Sequence, residues 1–257
     1  MVNSFRPRIQ DRFISIADFS VIIPAYNEEA YLPQALASAY TAMAAVRGTG
    51  EVVVVDNNSN DRTADIARSM GAVVVHEPIN QIARARNTGA RTAQGHSLIF
   101  LDADTTLHSA LLEAALQNLG SGHIVGGGTL FVFNRPLDVS TQKALDLWHG
   151  FSRRLNIASG CFVYCTKAAF EAVGGFSERV YASEEIWFSL RMHLWARRHG
   201  KRFRVITNQP VVTSIRKLDW FSPTYLLVSS LVLTLFPFAL FSRRLCNIWY
   251  DRPKQPD

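Results

Sequence analysis

Residues 100–105 read Phe-Leu-Asp-Ala-Asp-Thr, so Asp102 and Asp104 stand one residue apart where the apolar run Ser97-Leu98-Ile99-Phe100-Leu101 ends. Two carboxylates so placed offer hard oxygen ligands to Mg2+ or Mn2+. A metal held by only two protein groups keeps open positions for a phosphorylated ligand. A plain strand-ending turn also favours Asp, so the pair by itself leaves both readings open. Two further polar clusters follow apolar runs in the same way: Pro24-Ala25-Tyr26-Asn27-Glu28-Glu29 and Asp56-Asn57-Asn58-Ser59-Asn60-Asp61. Open α/β sheets bind ligands outside the carboxyl ends of their strands, which puts all three clusters on one rim. Neither G-x-G-x-x-G nor G-x-x-x-x-G-K-[ST] is present, which argues against a dinucleotide-binding dehydrogenase and a P-loop NTPase. A metal-held diphosphate is the remaining way to bind a nucleotide on this rim.

These loops need a sheet to carry them. Strands are expected at 20–24, 51–56, 72–77 and 97–104. Between them helices are expected at 29–46, where Leu32, Leu36 and Tyr40 share a face, at 63–70, stopped by Gly71, and at 84–95. Beyond the glycines at 126–128, strands at 129–134 and 158–166 flank a helix at about 138–150. A short helix within 166–176, an amphipathic helix at 184–200 with Ile186, Leu190 and Leu194 on one side, and a strand at 201–207 complete the pattern. Alternation of strands and helices predicts an α/β fold with a mostly parallel central sheet and helices on both faces.

At 257 residues and 48% hydrophobic, the chain can bury one large core. An excess of 27 Lys and Arg over 21 Asp and Glu suits an anionic ligand or an anionic membrane surface. Nucleic acid is not expected, because the basic cluster near 197–204 lacks interleaved aromatics. Cys161, Cys165 and Cys246 make neither a disulfide framework nor a zinc set, and read as buried thiols in a reducing compartment. The N-terminus lacks the apolar region of a signal peptide. From Trp220 to Ser242 no charge occurs. That length suits a helix that spans a bilayer or lies in its interface, and a buried core helix is the alternative. The expected organisation is a catalytic domain over 1–218 and a hydrophobic, membrane-associated segment with a short basic tail over 219–257. This would sit at the cytoplasmic face of a membrane, peripheral or single-pass.

In order along the chain, VIIPAYNEE, VVVVDNNSNDRTADIA, ARARNTGA, FLDADT, ASGCFVYCTKAAFEAVGGF and EEIWFSLR resemble the family 2 glycosyltransferases over about residues 20–206. The resemblance implies a Rossmann-like GT-A fold, a nucleotide-diphospho-sugar donor, a divalent metal at the D-x-D, and inversion at the anomeric carbon. The acceptor would be a hydroxyl or phosphate on a glycan, a lipid or a polyprenyl phosphate. Pro24, Ala25, Tyr26 and Glu28 match the first nucleotide-binding loop, with Tyr26 placed to stack on the base. Asp56 matches the acid that reads the base, Asn57 stands where many members have a second Asp, and Ser59 belongs to the same turn. Arg86 matches a residue that reaches diphosphate, with a solvated helix charge as the alternative. Asp102, Ala103 and Asp104 match the D-x-D, Asp104 as direct metal ligand and Asp102 shared with the ribose. Gly160 falls where sugar and acceptor are bordered. Glu185 occupies the position of the family's catalytic Asp, one methylene longer, with Glu184 as the alternative base and helix capping as the plain reading of both. Arg216 or Lys217 matches a basic lid, a position that membrane-flanking charge explains equally well. Two rival functions stand beside this one: a nucleotidyltransferase on a similar fold, and a degenerate membrane-associated GT-A binding protein with Asn57 and Glu185 as its signs of decay.

Overall fold

The computed structural model describes residues 17–220, 237–246 and 250. Its first half runs β1 (Phe19–Ala25), α1 (Leu32–Ala44), β2 (Gly50–Asp56), α2 (Thr63–Ser69), β3 (Val73–His76), α3 (Ile82–Thr92) and β4 (Ser97–Leu101). Then follow β5 (Thr105–Thr106), α4 (Ser109–Gly120), β6 (Ile124–Phe133), α5 (Val139–Leu155), β7 (Phe162–Thr166) and α6 (Lys167–Ala172). The chain continues through α7 (Glu184–Arg198), β8 (Arg202–Phe203), β9 (Ile206–Thr213) and α8 (Arg216–Trp220). A 3-10 turn spans Pro237–Phe241.

Val21, Ile22 and Ile23 are wholly buried in succession, as a strand covered on both faces requires. One face of the sheet packs Val21, Ile23, Ile99 and Leu101 against Leu32 and Leu36 of α1 and Leu111 and Leu112 of α4. On the other, Ile22, Val55 and Phe100 meet Ala83 and Ala90 of α3 and Phe188 and Met192 of α7. Strand order is β3-β2-β1-β4-β7-β6-β9-β5, with β8 also on β6. From β3 to β4 all pairing is parallel, as the alternating pattern predicts. Beyond β4 the sheet turns mixed, because β7 runs antiparallel to both β4 and β6.

Several boundaries differ from the sequence reading. The strand expected at 97–104 stops at Leu101. There the Asp102 amide donates to the Cys161 carbonyl and the Thr105 amide to the Asp102 carbonyl, closing a turn. That turn crosses from central β4 to β5, which pairs with β9 at the far end of the order. The strand expected at 201–207 is divided between β8 and the longer β9. Helix α4 was not read from the sequence. In α7 the buried stripe is Phe188, Met192 and Ala196, while Leu190 and Leu194 are exposed. Phe188 wins that competition by stacking on Phe176 at 4.4 Å between ring centroids. All three cysteines are free and buried.

Most of the hydrophobic segment expected over 219–257 lies outside the described residues. Among the described residues, no helix is long and apolar enough to cross a membrane.

Candidate active site

The loops after β1 and β2 are knitted together. Asn27 takes a left-handed backbone, φ 51°. Its amide donates to Ser59 Oγ at 3.0 Å, and its side-chain oxygen accepts from the Asn60 amide at 2.9 Å. The Glu28 amide donates to Thr63 Oγ1 at 2.7 Å. Asp56, at the end of β2, accepts from the Ser59 amide at 3.0 Å and faces His76 Nδ1 at 3.2 Å. The neighbouring Asn57 side chain turns elsewhere. Its amide nitrogen donates to the carbonyls of Glu77 and Ile79, and its oxygen accepts from the Gln81 amide. Asn57 therefore ties the 77–81 loop to the sheet, and Asp56 remains on the rim beside half-buried Pro24 and Tyr26.

Each aspartate of the D-x-D is gripped by a different arginine. Arg86 Nη2 donates to Asp102 at 3.0 Å and to the Gly160 carbonyl at 2.8 Å, while its Nη1 donates to Glu184 at 2.5 Å. This side chain is only 2% exposed, which rules out the solvated helix charge and makes it a buried clamp. Gly89 brings it there: a Cβ at that position would stand 2.3 Å from Ile22 Cγ2, so only glycine lets α3 lie this close to the sheet. Burial alone would lower the Arg86 pKa, but Asp102, then Glu184 and Glu185, more than offset that and hold it charged. Its Nε is buried without a hydrogen-bond partner.

Arg216, from α8, grips the other aspartate. Its two terminal nitrogens donate to the two Glu28 oxygens at 2.6 Å each, and Nη2 lies 2.9 Å from Asp104 Oδ2. The guanidinium sits between the rings of Tyr31, at 4.4 Å, and Trp220, at 5.2 Å. Burial lowers its pKa, and Glu28 and Asp104 overcome that as well. Glu28, read from the sequence as part of the nucleotide loop, is thus a buried partner of Arg216.

Arg86, Asp102, Asp104, Glu184 and Glu185 line one side of a cavity of about 340 Å3, with Gly160 between them. Phe131, Phe133, Trp148 and Leu218 line another part. Asp56 and Tyr26 belong to the neighbouring rim. Glu184 is locked by Arg86, whereas among the described residues no side-chain hydrogen bond pins the Glu185 carboxyl. Burial and then the adjacent Glu184 carboxylate push the Glu185 pKa up, to about 8, against the opposing pull of Arg86. A half-buried carboxyl whose pKa is raised toward neutrality suits a general base. Sequence reading missed His76 and the apolar lining residues Phe131, Phe133, Trp148 and Leu218. Single aromatic residues in loosely patterned segments give no signal separable from core packing.

Among the described residues no three His, Cys, Asp or Glu side chains converge into a full metal cage. Asp102 and Asp104 nevertheless fit a hard divalent cation of the kind that completes its shell from phosphate oxygens and water. Both are held on one rigid turn, both line the cavity, and each has only one oxygen engaged by an arginine.

An α/β sheet of this order, with carboxylates on the turn after its central strand, defines the GT-A-like class of folds. Residues 20–174 match the family described as glycosyl transferase family 2, and the chain belongs to that family. It is 28% identical over 184 residues to glycosyltransferase AglE of Haloferax volcanii, covering 67% of this chain and 60% of that one. It is 41% identical over 107 residues to 4,4'-diaponeurosporenoate glycosyltransferase of Staphylococcus haemolyticus, covering 38% and 28%. The chain thus spans less than two thirds of the length of either relative. In three dimensions it resembles mannosyltransferase PcManGT of Pyrobaculum calidifontis in complex with GDP-Man and Mn2+. That match has TM-score 0.66 and 20% identity, covering 93% of this chain and 66% of that one. At this identity the likeness shows the fold.

Proposed function

We propose that the chain transfers a glycosyl group, with inversion, from a nucleotide-diphospho-sugar to a hydroxyl or phosphate acceptor on a glycan or lipid. One observation carries this reading: residues from α3, the β4–β5 turn, the 159–160 segment and the start of α7 converge on a single cavity. Asp56, Tyr26 and Pro24 bind the nucleoside, with Ala25 and Ser59 shaping the two loops. Asp102 and Asp104, bracketing Ala103, hold Mg2+ or Mn2+, which when bound offsets the charge of the departing nucleoside diphosphate. Arg86 fixes Asp102, Glu184 and the Gly160 carbonyl in one frame. Glu185 removes the acceptor proton at its carboxylate oxygen as the acceptor attacks the face opposite the leaving group. The transferase unit runs to about residue 218, and the uncharged run after it brings the chain to the cytoplasmic face of a membrane.

The test is a panel of nucleotide sugars incubated with and without Mn2+, with products read by mass spectrometry and nucleotide binding by calorimetry. Metal-dependent binding of one donor and inverted product are expected. Asp104→Ala should abolish both while the chain stays folded, and full activity in that variant would remove the metal assignment. Hydrolysis or nucleotidyl transfer in place of glycosyl transfer would favour the nucleotidyltransferase.

A further inference from the structure

Residues 237–246 and Tyr250 lie beside the start of α7. Val180, Ala182, Leu240, Cys246 and Tyr250 make a small core of their own, with Ile82 and Tyr181 packed on it. The backbone joins the same segments, since the Tyr181 amide donates to the Leu240 carbonyl at 2.7 Å. Tyr250, only 4% exposed, reaches two elements with one hydroxyl. Its O–H donates to the Tyr181 carbonyl at 2.9 Å, and its oxygen accepts a long hydrogen bond, 3.5 Å, from the Ile82 amide. Its ring meets the Tyr181 ring edge-on, centroids 5.8 Å apart. Burial, and then the Glu184 carboxylate, push the Tyr250 hydroxyl well above its ordinary pKa, so it keeps the proton it donates.

The two elements so joined carry the two halves of the site. Ile82 opens α3, which carries Arg86, and Tyr181 stands three residues before Glu184, where α7 begins. Arg86 and Glu184 then meet at 2.5 Å. The start of α7 needs support from outside itself. Ser183 holds a left-handed backbone, φ 59°, and caps no amide with its side chain. A non-glycine residue keeps that conformation only where its surroundings enforce it. Gln81 Nε2 donates to the Glu178 and Val180 carbonyls at 2.9 Å each. Two successive residues at the start of α3 therefore grip the loop, Gln81 directly and Ile82 through Tyr250.

We infer that Tyr250 is a positioning residue for the transfer: it fastens the 180–183 loop to the start of α3, and so sets where α7 presents Glu184 and Glu185. The inference rests on the transferase reading and adds to it a residue from beyond the uncharged run. Ile82, Glu184 and Glu185 line the cavity and Tyr250 does not, so the phenol acts through the backbone it holds. Such a hold matters because displacing a reacting group by about 1 Å can cost about 10²-fold in rate.

The test uses the full chain and Tyr250→Phe, which keeps the ring and loses the bridging hydroxyl. Amide hydrogen exchange over 180–186 is read by mass spectrometry, and Mn2+-dependent binding of UDP and of GDP by calorimetry. Release of nucleoside diphosphate from UDP- and GDP-sugars is followed with water or a membrane lipid extract as acceptor. Exchange over 180–186 should quicken about tenfold and release should slow about tenfold, for the buried hydrogen bond removed. Nucleotide binding should be unchanged, because its loops follow β1, β2 and β4. Leu240→Ala, which trims the same small core, should move exchange and release in the same directions. Leu119→Ala is the control: Leu119 is buried on α4 in a different cluster, so its loss should lower the unfolding midpoint and leave both readings at wild type. Equal slowing of release in Leu119→Ala would overturn the inference as a general loss of stability. So would wild-type exchange and release in Tyr250→Phe, or a loss of nucleotide binding as large as the loss of rate. If the wild type neither binds UDP or GDP nor releases them, while exchange still quickens in Tyr250→Phe, the transferase reading falls. The positioning role then falls with it, leaving a structural clamp.

Discussion

Arg86 and Arg216 make the same kind of contact on different mountings. Each joins one aspartate of the D-x-D to one glutamate: Arg86 couples Asp102 to Glu184, and Arg216 couples Asp104 to Glu28. Arg86 rides on an 11-residue helix packed against two central strands and is anchored further by the Gly160 carbonyl. Arg216 rides on a five-residue helix at the edge of the described chain, held by β9 and by two aromatic rings. The first is part of the fold's core, and the second closes the site from its rim. The aspartates inherit the difference: Asp102 is fixed by the scaffold, while the hold on Asp104 depends on whether α8 is seated.

The largest expected effect lies on the Arg86 side of the cavity. Glu185→Gln should lower single-turnover rate by about 10²–10⁴ with donor affinity nearly unchanged. Glu184→Gln, whose partner is Arg86, should register in unfolding midpoints more than in rate; the reverse pattern would reassign the base. Next, Arg86→Met should reduce unfolding free energy by about 3–5 kcal/mol, because Asp102 and Glu184 lose their shared buried cation. Gly89→Ala attacks the same clamp through the helix that carries it. Its new methyl meets Ile22, and a loss of about 1–3 kcal/mol is expected in urea titrations. Arg216→Met should cost less stability than Arg86→Met, since lifting α8 lets water reach Glu28 and Asp104, and should weaken donor binding more. Equal losses from the two arginine variants would erase the distinction drawn above.

A separate test concerns pH. Glu185 titrates at 4.5 in its ordinary state and is pushed to about 8 in the fold, so between those values the folded chain binds more protons than the unfolded one. Its contribution to stability is therefore present at low pH and lost as pH rises through that window. Glu185→Gln should flatten that part of the pH–stability curve, while the rate, which needs the carboxylate, rises with pH across the same range in the wild type.

Much of this arrangement is legible before folding. The continuous runs of β1, β2 and β4, each ending in a polar cluster, place Asp56 and the D-x-D on one rim by the geometry of parallel sheets alone. Arg86 is harder to read. Its charge suggests solvent, and only Gly89 hints that this helix face touches the sheet. The pairing of Arg216 with Glu28 joins residues 188 positions apart, and no local pattern encodes it. The orientation of α7 was misread because Ile186, Leu190 and Leu194 have the right spacing for a buried face. Ring stacking between Phe188 and Phe176 outweighs that spacing. Asn57 was assigned by position in a motif, but its amide geometry is set by a loop twenty residues further on.

The β4–β5 turn also bears on how the chain can be assembled. Asp102 follows directly on β4, whose neighbours β1 and β7 lie within the first 166 residues, but among the described residues β5 finds its only strand partner in β9, at 206–213. During synthesis the family-matched stretch 20–174 therefore emerges with the outer side of β6 and the whole of β5 unpaired. Such edges invite pairing with other chains until they are covered. Contacts of this sequence separation also form slowly, because the intervening loop must close first. A fragment ending near residue 174 is thus expected to aggregate before it can bind a nucleotide, and Asp104 reaches its place only when the last strand arrives.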